Sequence, residues 1–265
     1  MFRGAERMKK FILIMVLSII SILLVACGGS DDKTSSEKEN AEDKTYVVGV
    51  DNTYPPFEFE ADGELVGIDI DLINAIAEDQ GFKIKIEQMD FSGIIPSMQA
   101  GELDIGMGGM SITDERKETV DFSDPYFEAG ISLVIADNNT EINSLEDLAG
   151  KRVVIKNGTV SAKFAEENKD KYNYEIVQVN DSTSMFQEVT NGTVDALMED
   201  YPVISYAIAV SDLKFKIVGD RLTGDNYGIS VLKGKNDELL EMIDKGLTNL
   251  KENGKYDEIL NEYLD

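Results

Sequence analysis

The architecture open to this chain is limited most by a pattern between about residues 45 and 265, where short β-forming runs alternate with amphipathic helical segments through two successive cycles. Strands alternating with helices favour an α/β fold. In the first cycle Tyr46 to Val50 reads as a strand, and a turn with Tyr54, Pro55, Pro56, Phe57 and Phe59 follows. Asp69 to Gln80 places Leu72, Ile73, Ile76 and Ala77 on one helical face, and Gly81 supplies the left-handed residue that ends a helix. Phe82, Ile84 and Ile86 alternate with charged residues as a strand does. A short helix over 92–100 turns Ile94, Ile95 and Met98 inward, with Pro96 in its first turn, where a missing amide costs little. Residues 103–105 read as a strand, leading through a glycine-rich stretch into a helix from Asp114, whose acidic first turn suits a helix dipole.

The second cycle begins at Ser144, where Ser144 and Asp147 have capping-box spacing and Gly150 closes the short helix. Strands are expected at 152–155, 174–179, 194–198, 215–218 and 227–232, with helices at 185–191 and 203–210. Leu239, Leu240, Ile243, Leu247 and Leu250 mark a long closing helix that Gly254 ends, and a final short helix carries Tyr256, Ile259, Leu260 and Tyr263. No repeat of the length that builds solenoids is present, so two α/β lobes fit best.

The amino terminus points outward from the cell. Arg3, Arg7, Lys9 and Lys10 precede an apolar run from Phe11 to Ala26, and its 16 residues fall short of a membrane-spanning helix, which needs roughly 20. The expectation is a cleaved secretory signal over 1–26, with Met8 as an alternative start and an uncleaved anchor as the alternative fate. Ala26 stands directly before Cys27, the chain's single cysteine, which has no partner for an internal disulfide. At that junction Cys27 resembles the modified residue of a bacterial lipoprotein signal, whose thiol carries diacylglycerol. Residues 27–44, rich in Ser, Glu, Lys and Asp, bear too little apolar surface to offset the entropy of ordering them and read as a flexible tether.

Composition removes several classes of function. A net charge of −26, from 51 acidic against 25 basic residues, leaves no basic cluster for phosphate and argues against a nucleic-acid partner. With no histidine, the commonest general base and the commonest zinc ligand are both missing. No enzyme, cofactor or metal is therefore expected.

Polar and aromatic residues collect instead in loops at strand ends, where binding sites form. One loop holds Asp51, Tyr54 and Phe57; a second holds Gly108, Gly109, Ser111, Thr113 and Arg116; a third set holds Lys156, Gly158, Thr159 and Asp200. Together they suit a zwitterion. Glycines let backbone approach a ligand, and Arg116 can fork onto a carboxylate. Asp51 and Asp200 can receive an ammonium group, and Tyr54 with Phe91 can sandwich an apolar stem. Each has a plainer reading: Arg116 on a solvated helix face, Asp51 as a turn cap, and Asp200 as a helix cap ahead of Pro202. Lys156 ends a buried-looking strand, where a lysine needs a partner.

Asp69-Ile-Asp71, Asp90-Phe-Ser-Gly-Ile-Ile-Pro96, Ser111-Ile-Thr-Asp-Glu-Arg116, Asp121-Phe-Ser-Asp-Pro-Tyr126 and Tyr227-Gly-Ile229 resemble, in order, motifs of the polar amino-acid binding family of ABC transporter solute receptors, solute-binding protein family 3. The resemblance implies a type II periplasmic-binding-protein fold: lobe 1 from 45–129 and 223–265, lobe 2 from 130–222, with crossings near 126–130 and 223–227. It implies an α-carboxylate on Arg116, aided by Ser111 and Thr159, and an α-ammonium on Asp200 and the Gly109 carbonyl. Asp51 together with Lys156 looks most like the glutamine receptors, since an amide can donate to one and accept from the other. Glu199 stands where such receptors often have histidine, which keeps arginine as the alternative. The partners so implied are an amino acid, an ABC permease with its ATPase, and the outer face of the cell membrane through Cys27, for a monomeric protein. A branch of the family resembles cyclohexadienyl dehydratase, and a stand-alone amino-acid sensor is a third possibility.

Overall fold

A computed structural model describes residues 44–210 and 213–264, all within one unit, Asn40–Asp265. The signal over 1–26, Cys27 and the tether up to residue 43 lie outside the described residues. The first half of the chain lays down β1 (Thr45–Val50), a small meander of β2 (Thr53–Tyr54), β3 (Glu58–Ala61) and β4 (Glu64–Val66), α1 (Ile68–Gln80), β5 (Lys83–Gln88), α2 (Ile94–Ala100), β6 (Ile105–Gly106) and β7 (Val120–Phe122). Then come β8 (Phe127–Glu128), β9 (Ile131–Ala136), β10 (Arg152–Lys156), α3 (Val160–Tyr172), β11 (Glu175–Val179), α4 (Ser182–Thr190), β12 (Ala196–Asp200), α5 (Tyr201–Val210) and β13 (Phe215–Val218). The chain ends with β14 (Asn226–Tyr227), β15 (Ser230–Leu232), α6 (Asp237–Asn253) and α7 (Lys255–Leu264).

Two five-stranded sheets result, in the orders β5-β1-β6-β15-β7 and β11-β10-β12-β9-β13. In each, one strand next to the edge, β1 or β10, pairs in parallel on both sides, and the remaining pairs are antiparallel. The two lobes thus repeat one plan: from that strand the chain passes through a helix to one neighbour and through a second helix to the other. The carboxyl end of that strand is the topological switch point where open α/β sheets hold ligands. The two lobes are joined where β8 pairs antiparallel with β14, Phe127 opposite Tyr227.

Lobe 1 closes only when the chain returns. Ile68, Leu72, Ile73 and Ile76 of α1 pack with Leu239, Ile243, Leu247 and Leu250 of α6 in one core. A Cβ on Gly246 would stand 2.9 Å from Ile76, so glycine is what permits this approach of the two helices. Burying each such leucine or isoleucine contributes about 1.5–3 kcal/mol, which fastens the carboxyl terminus to the first lobe.

Several sequence expectations are corrected. The helix expected from Asp114 is a single 3-10 turn, Arg116–Glu118, too short to carry a useful dipole. The strand expected over 227–232 is broken at Gly228, where a Cβ would meet Ile112 and Phe122 at 2.9–3.0 Å. At the Ser144 turn, Asp147 accepts from the Asn143 amide at 2.9 Å, one residue earlier than a capping box requires, and Ser144 makes no side-chain cap. Helix α3 and strand β9 are among the elements with no counterpart in the sequence reading. Helix α3 buries only Ser161 and Ala165 and so shows no apolar stripe, while β9 is a continuous buried run without alternation.

The crossing is sterically tight: Gly130 sits at φ 140°, and a Cβ there would lie 2.3 Å from the Thr223 carbonyl oxygen. Gly130→Ala is expected to lower stability by about 1–3 kcal/mol in urea denaturation. Gly224→Ala, with open space around it, should stay within about 0.5 kcal/mol of the parent.

Candidate functional site

The switch points of the two sheets face each other, and one buried charge stands at each. Asp51 follows the last residue of β1 and Lys156 is the last residue of β10; they are 3% and 2% exposed, and Lys156 Nζ lies 2.5 Å from Asp51 Oδ2. The ammonium also stands 4.6 Å from the Tyr54 ring centroid and 5.7 Å from that of Phe91, within cation–π range. The other Asp51 oxygen accepts from the amide and the hydroxyl of Thr53, both at 2.7 Å. Asp51 is therefore the turn cap of its plainer reading and a charge partner of Lys156 at once.

Asp200, which ends β12, is 4% exposed and meets lobe 1 through two tyrosines. Its Oδ2 accepts from the Tyr54 hydroxyl at 2.8 Å and the Tyr227 hydroxyl at 2.6 Å, while Oδ1 has no partner. Glu199, beside it, takes the Asp200 amide at 2.7 Å on Oε1 and leaves Oε2 unpaired. Burial, with the neighbouring Asp200 charge adding to it, pushes the Glu199 carboxyl up to about 8, so this group holds its proton at neutral pH. Burial likewise raises Asp200, against the lowering effect of the two hydroxyls.

Arg116 is half-buried and spans the mouth of the cleft. It donates to the Ser111 carbonyl in its own lobe at 2.7 Å and to the Gly158 carbonyl of the other lobe at 3.0 Å, and its guanidinium lies 5.3 Å from the Phe91 centroid. The lobes come close here: a Cβ on Gly158, at φ 79°, would stand 2.9 Å from Ser92. Beyond them Glu115 pairs with Lys163 across the opening. The loop of Gly108 and Gly109 has positive φ values of 142° and 53°, and a Cβ on Gly109 would lie 2.5 Å from the Tyr54 ring. Only glycine lets that backbone run so close to the aromatic.

All of the predicted binding residues except Asp51 line one cavity, joined by Val160. The centre of a water-sized sphere reaches about 10 Å³ of it, room for about one water, so side chains of the two lobes nearly fill the cleft between them. Thr159 caps α3, its hydroxyl accepting from the Ala162 amide at 3.0 Å and donating to the Lys156 carbonyl at 2.8 Å. The helix N-terminus at the cavity thus belongs to α3 of lobe 2, not to the segment from Asp114.

The sequence reading missed Val160, Ser182 and the role of Tyr227. Val160 would have followed from reading Thr159 as an N-cap. Ser182, whose hydroxyl lies 3.4 Å from Lys156, carries no local signal. Tyr227 stood in a recognised motif, but its bond to Asp200 spans the crossing.

A family model for bacterial extracellular solute-binding proteins, family 3, matches residues 46–265. The chain belongs to that family. It is 29% identical to the arginine-binding extracellular protein ArtP of Bacillus subtilis over 258 residues, 97% of this chain and 98% of ArtP. Among solved structures it is 43% identical to an ancestral arginine-binding protein bound to arginine, with a TM-score of 0.79 over 83% of this chain and 98% of that one. An ancestral arginine-binding protein bound to glutamine matches at 43% identity and a TM-score of 0.77, over 83% of this chain and 97% of that one. As a family member with this fold, the chain is an extracytoplasmic amino-acid-binding protein with two α/β lobes.

Removing one member of the Asp51–Lys156 pair strands the other. In urea denaturation Asp51→Ala is expected to cost about 3–5 kcal/mol, and the double variant Asp51→Ala/Lys156→Met should recover most of that loss.

Proposed function

We propose that this protein captures a polar L-amino acid, glutamine before others, by closing its two lobes, and hands it unchanged to an ABC permease. The observation that carries the reading is the presence of Arg116 and Asp200, opposite charges from opposite lobes, on one small cavity. An α-carboxylate fits Arg116, Ser111 and the amides that begin α3 after Thr159. An α-ammonium fits the unpaired Asp200 Oδ1 and the Gly109 carbonyl, with Tyr54 and Phe91 against the aliphatic stem. The relatives named for binding an amino acid support capture rather than chemistry.

Preference for an amide side chain rests on charge. The aromatic faces of Tyr54 and Phe91 already hold the Lys156 ammonium, so a second cation meets like charge. Glu199, which could neutralise it, keeps its proton at pH 7. A carboxamide can accept from Lys156, which lines the cavity, without altering the charge of the Asp51–Lys156 pair. Arginine is the second reading, favoured by the unpaired oxygens of Glu199 and Asp200. Lipid attachment at Cys27, the boundaries at 129/130 and 222/223, and a monomeric state belong to the same proposal.

Isothermal titration of residues 45–265, stripped of ligand by unfolding and refolding, tests the reading. Glutamine should bind more tightly than arginine, Arg116→Ala should abolish binding of every α-amino acid, and Lys156→Met should shift preference toward a cationic side chain. Arginine binding more tightly in the parent would transfer the assignment to the second reading; no binding of any amino acid would defeat both. In cells, Cys27→Ser is expected to release the protein from the membrane fraction and abolish incorporation of labelled palmitate.

A further inference from the structure

Motifs that the ligand contacts leave unexplained meet beneath the cavity. Asp69, near the start of α1, is 0% exposed, and its carboxylate accepts the Gly109 amide at 2.9 Å and the Tyr126 hydroxyl at 2.8–2.9 Å. Glu58 on β3 is also 0% exposed, and neither of its carboxyl oxygens receives a hydrogen bond. A Cβ on Gly108 would lie 3.1 Å from Glu58 Oε1, so this second carboxyl sits directly under the glycine loop. Tyr126 leads into the first crossing strand, its amide donates to the Tyr227 carbonyl at 3.0 Å, and the Tyr227 hydroxyl donates to Asp200.

Two adjoining carboxyls sealed from water cannot both ionise. Burial, then the charges of Asp69 and Asp51, pushes Glu58 well above the carboxylate range, although Lys156 pulls the other way. Glu58 is therefore the member of the pair that favours its proton. Asp69 is raised to about 6 by burial, held from going further by its bonds to the Gly109 amide and the Tyr126 hydroxyl. It is the ionised member of the pair at neutral pH. Its bond to the Gly109 N–H withholds that donor from any ligand, and the carbonyl of the same trans peptide, that of Gly108, points the opposite way.

We propose that Asp69 is a positioning residue of the binding site: the ionised Asp69 clamps the Gly108–Gly109 loop to the hinge tyrosine Tyr126, and protonation of Asp69 frees the loop and weakens ligand binding. This rests on the amino-acid-binding reading. Because the clamp needs the ionised form, affinity is retained above Asp69's titration near 6 and lost as pH falls through it. Tyr126, which is bonded to Asp69, and Glu58, beneath the same loop, are both raised by burial. Asp51 and Lys156 face Glu58, the first raising it and the second lowering it. Asp200, raised by burial as well, is the competing origin of an acid limb.

The test is titration of the refolded protein with L-glutamine, or L-arginine if the parent takes that instead, from pH 4.5 to 8. Asp69→Asn should weaken binding at pH 7.5 by about 10- to 100-fold, as the loss of buried hydrogen bonds to a charged acceptor implies, and should abolish the acid limb. Tyr126→Phe, which removes one donor, should move the acid limb to higher pH and reports on the clamp even if Asp69→Asn does not fold. An acid limb unchanged in Asp69→Asn or in Tyr126→Phe overturns the inference and assigns the limb to Asp200. A parent that binds no amino acid fails the functional reading itself, a result separate from any of these.

Discussion

The ion pair between Asp51 and Lys156 is the contact on which the arrangement of the two lobes depends. Each residue stands at the carboxyl end of the first strand of its own sheet's parallel trio, β1 or β10, so the pair superimposes one switch point on the other. A buried ion pair of this kind recovers its desolvation cost only when geometry and further hydrogen bonds are favourable. Thr53 supplies two such bonds to Asp51, and Tyr54 and Phe91 supply aromatic faces to Lys156. The lobes therefore meet through charge set among aromatics, a contact that ordinary separation of the lobes would expose to water and weaken.

The cleft concentrates carboxyl groups to an unusual degree for so small a volume. Asp51, Glu58, Asp69, Glu199 and Asp200 are all nearly inaccessible, yet within the pairs Glu58 with Asp69 and Glu199 with Asp200 the surroundings supply different donors. Asp69 has an amide and a hydroxyl to hold its charge, whereas Glu58 receives no hydrogen bond and keeps its proton. Asp200 has two tyrosine hydroxyls, whereas Glu199 has one peptide amide and a distant hydroxyl. In each pair the better-donated member is the one whose charge is better supported. The protein's overall acidity thus continues into its interior as carboxyls in distinct surroundings.

The sequence was most readable where local chemistry matches local structure. Helix α1 showed its apolar face and its Gly81 stop, found at φ 73°, and α6 showed its leucines. Strand β9 was hidden because burial on both faces erases alternation, and α3 because a mostly solvated helix has no apolar stripe. The residues of the candidate site were legible as types: charges, glycines and aromatics at strand ends. Their pairing was not, because Asp51 and Lys156 lie 105 positions apart and meet only once both lobes exist. The turn-capping role of Asp51 was equally readable, and the structure shows that the two roles use different oxygens.

The return of the chain to lobe 1 has a consequence for how the protein comes into being. Strand β15 lies between β6 and β7 in its sheet, and α6 and α7 follow it. Lobe 2, from β9 to β13, is contiguous and can assemble as soon as its own residues emerge. Lobe 1 cannot, since β6 and β7 present open edges until Ser230 to Leu232 arrive to join them. A chain delivered amino-terminus first therefore finishes the lobe it started last, and holds the lobe it started first unsealed until nearly its final residue.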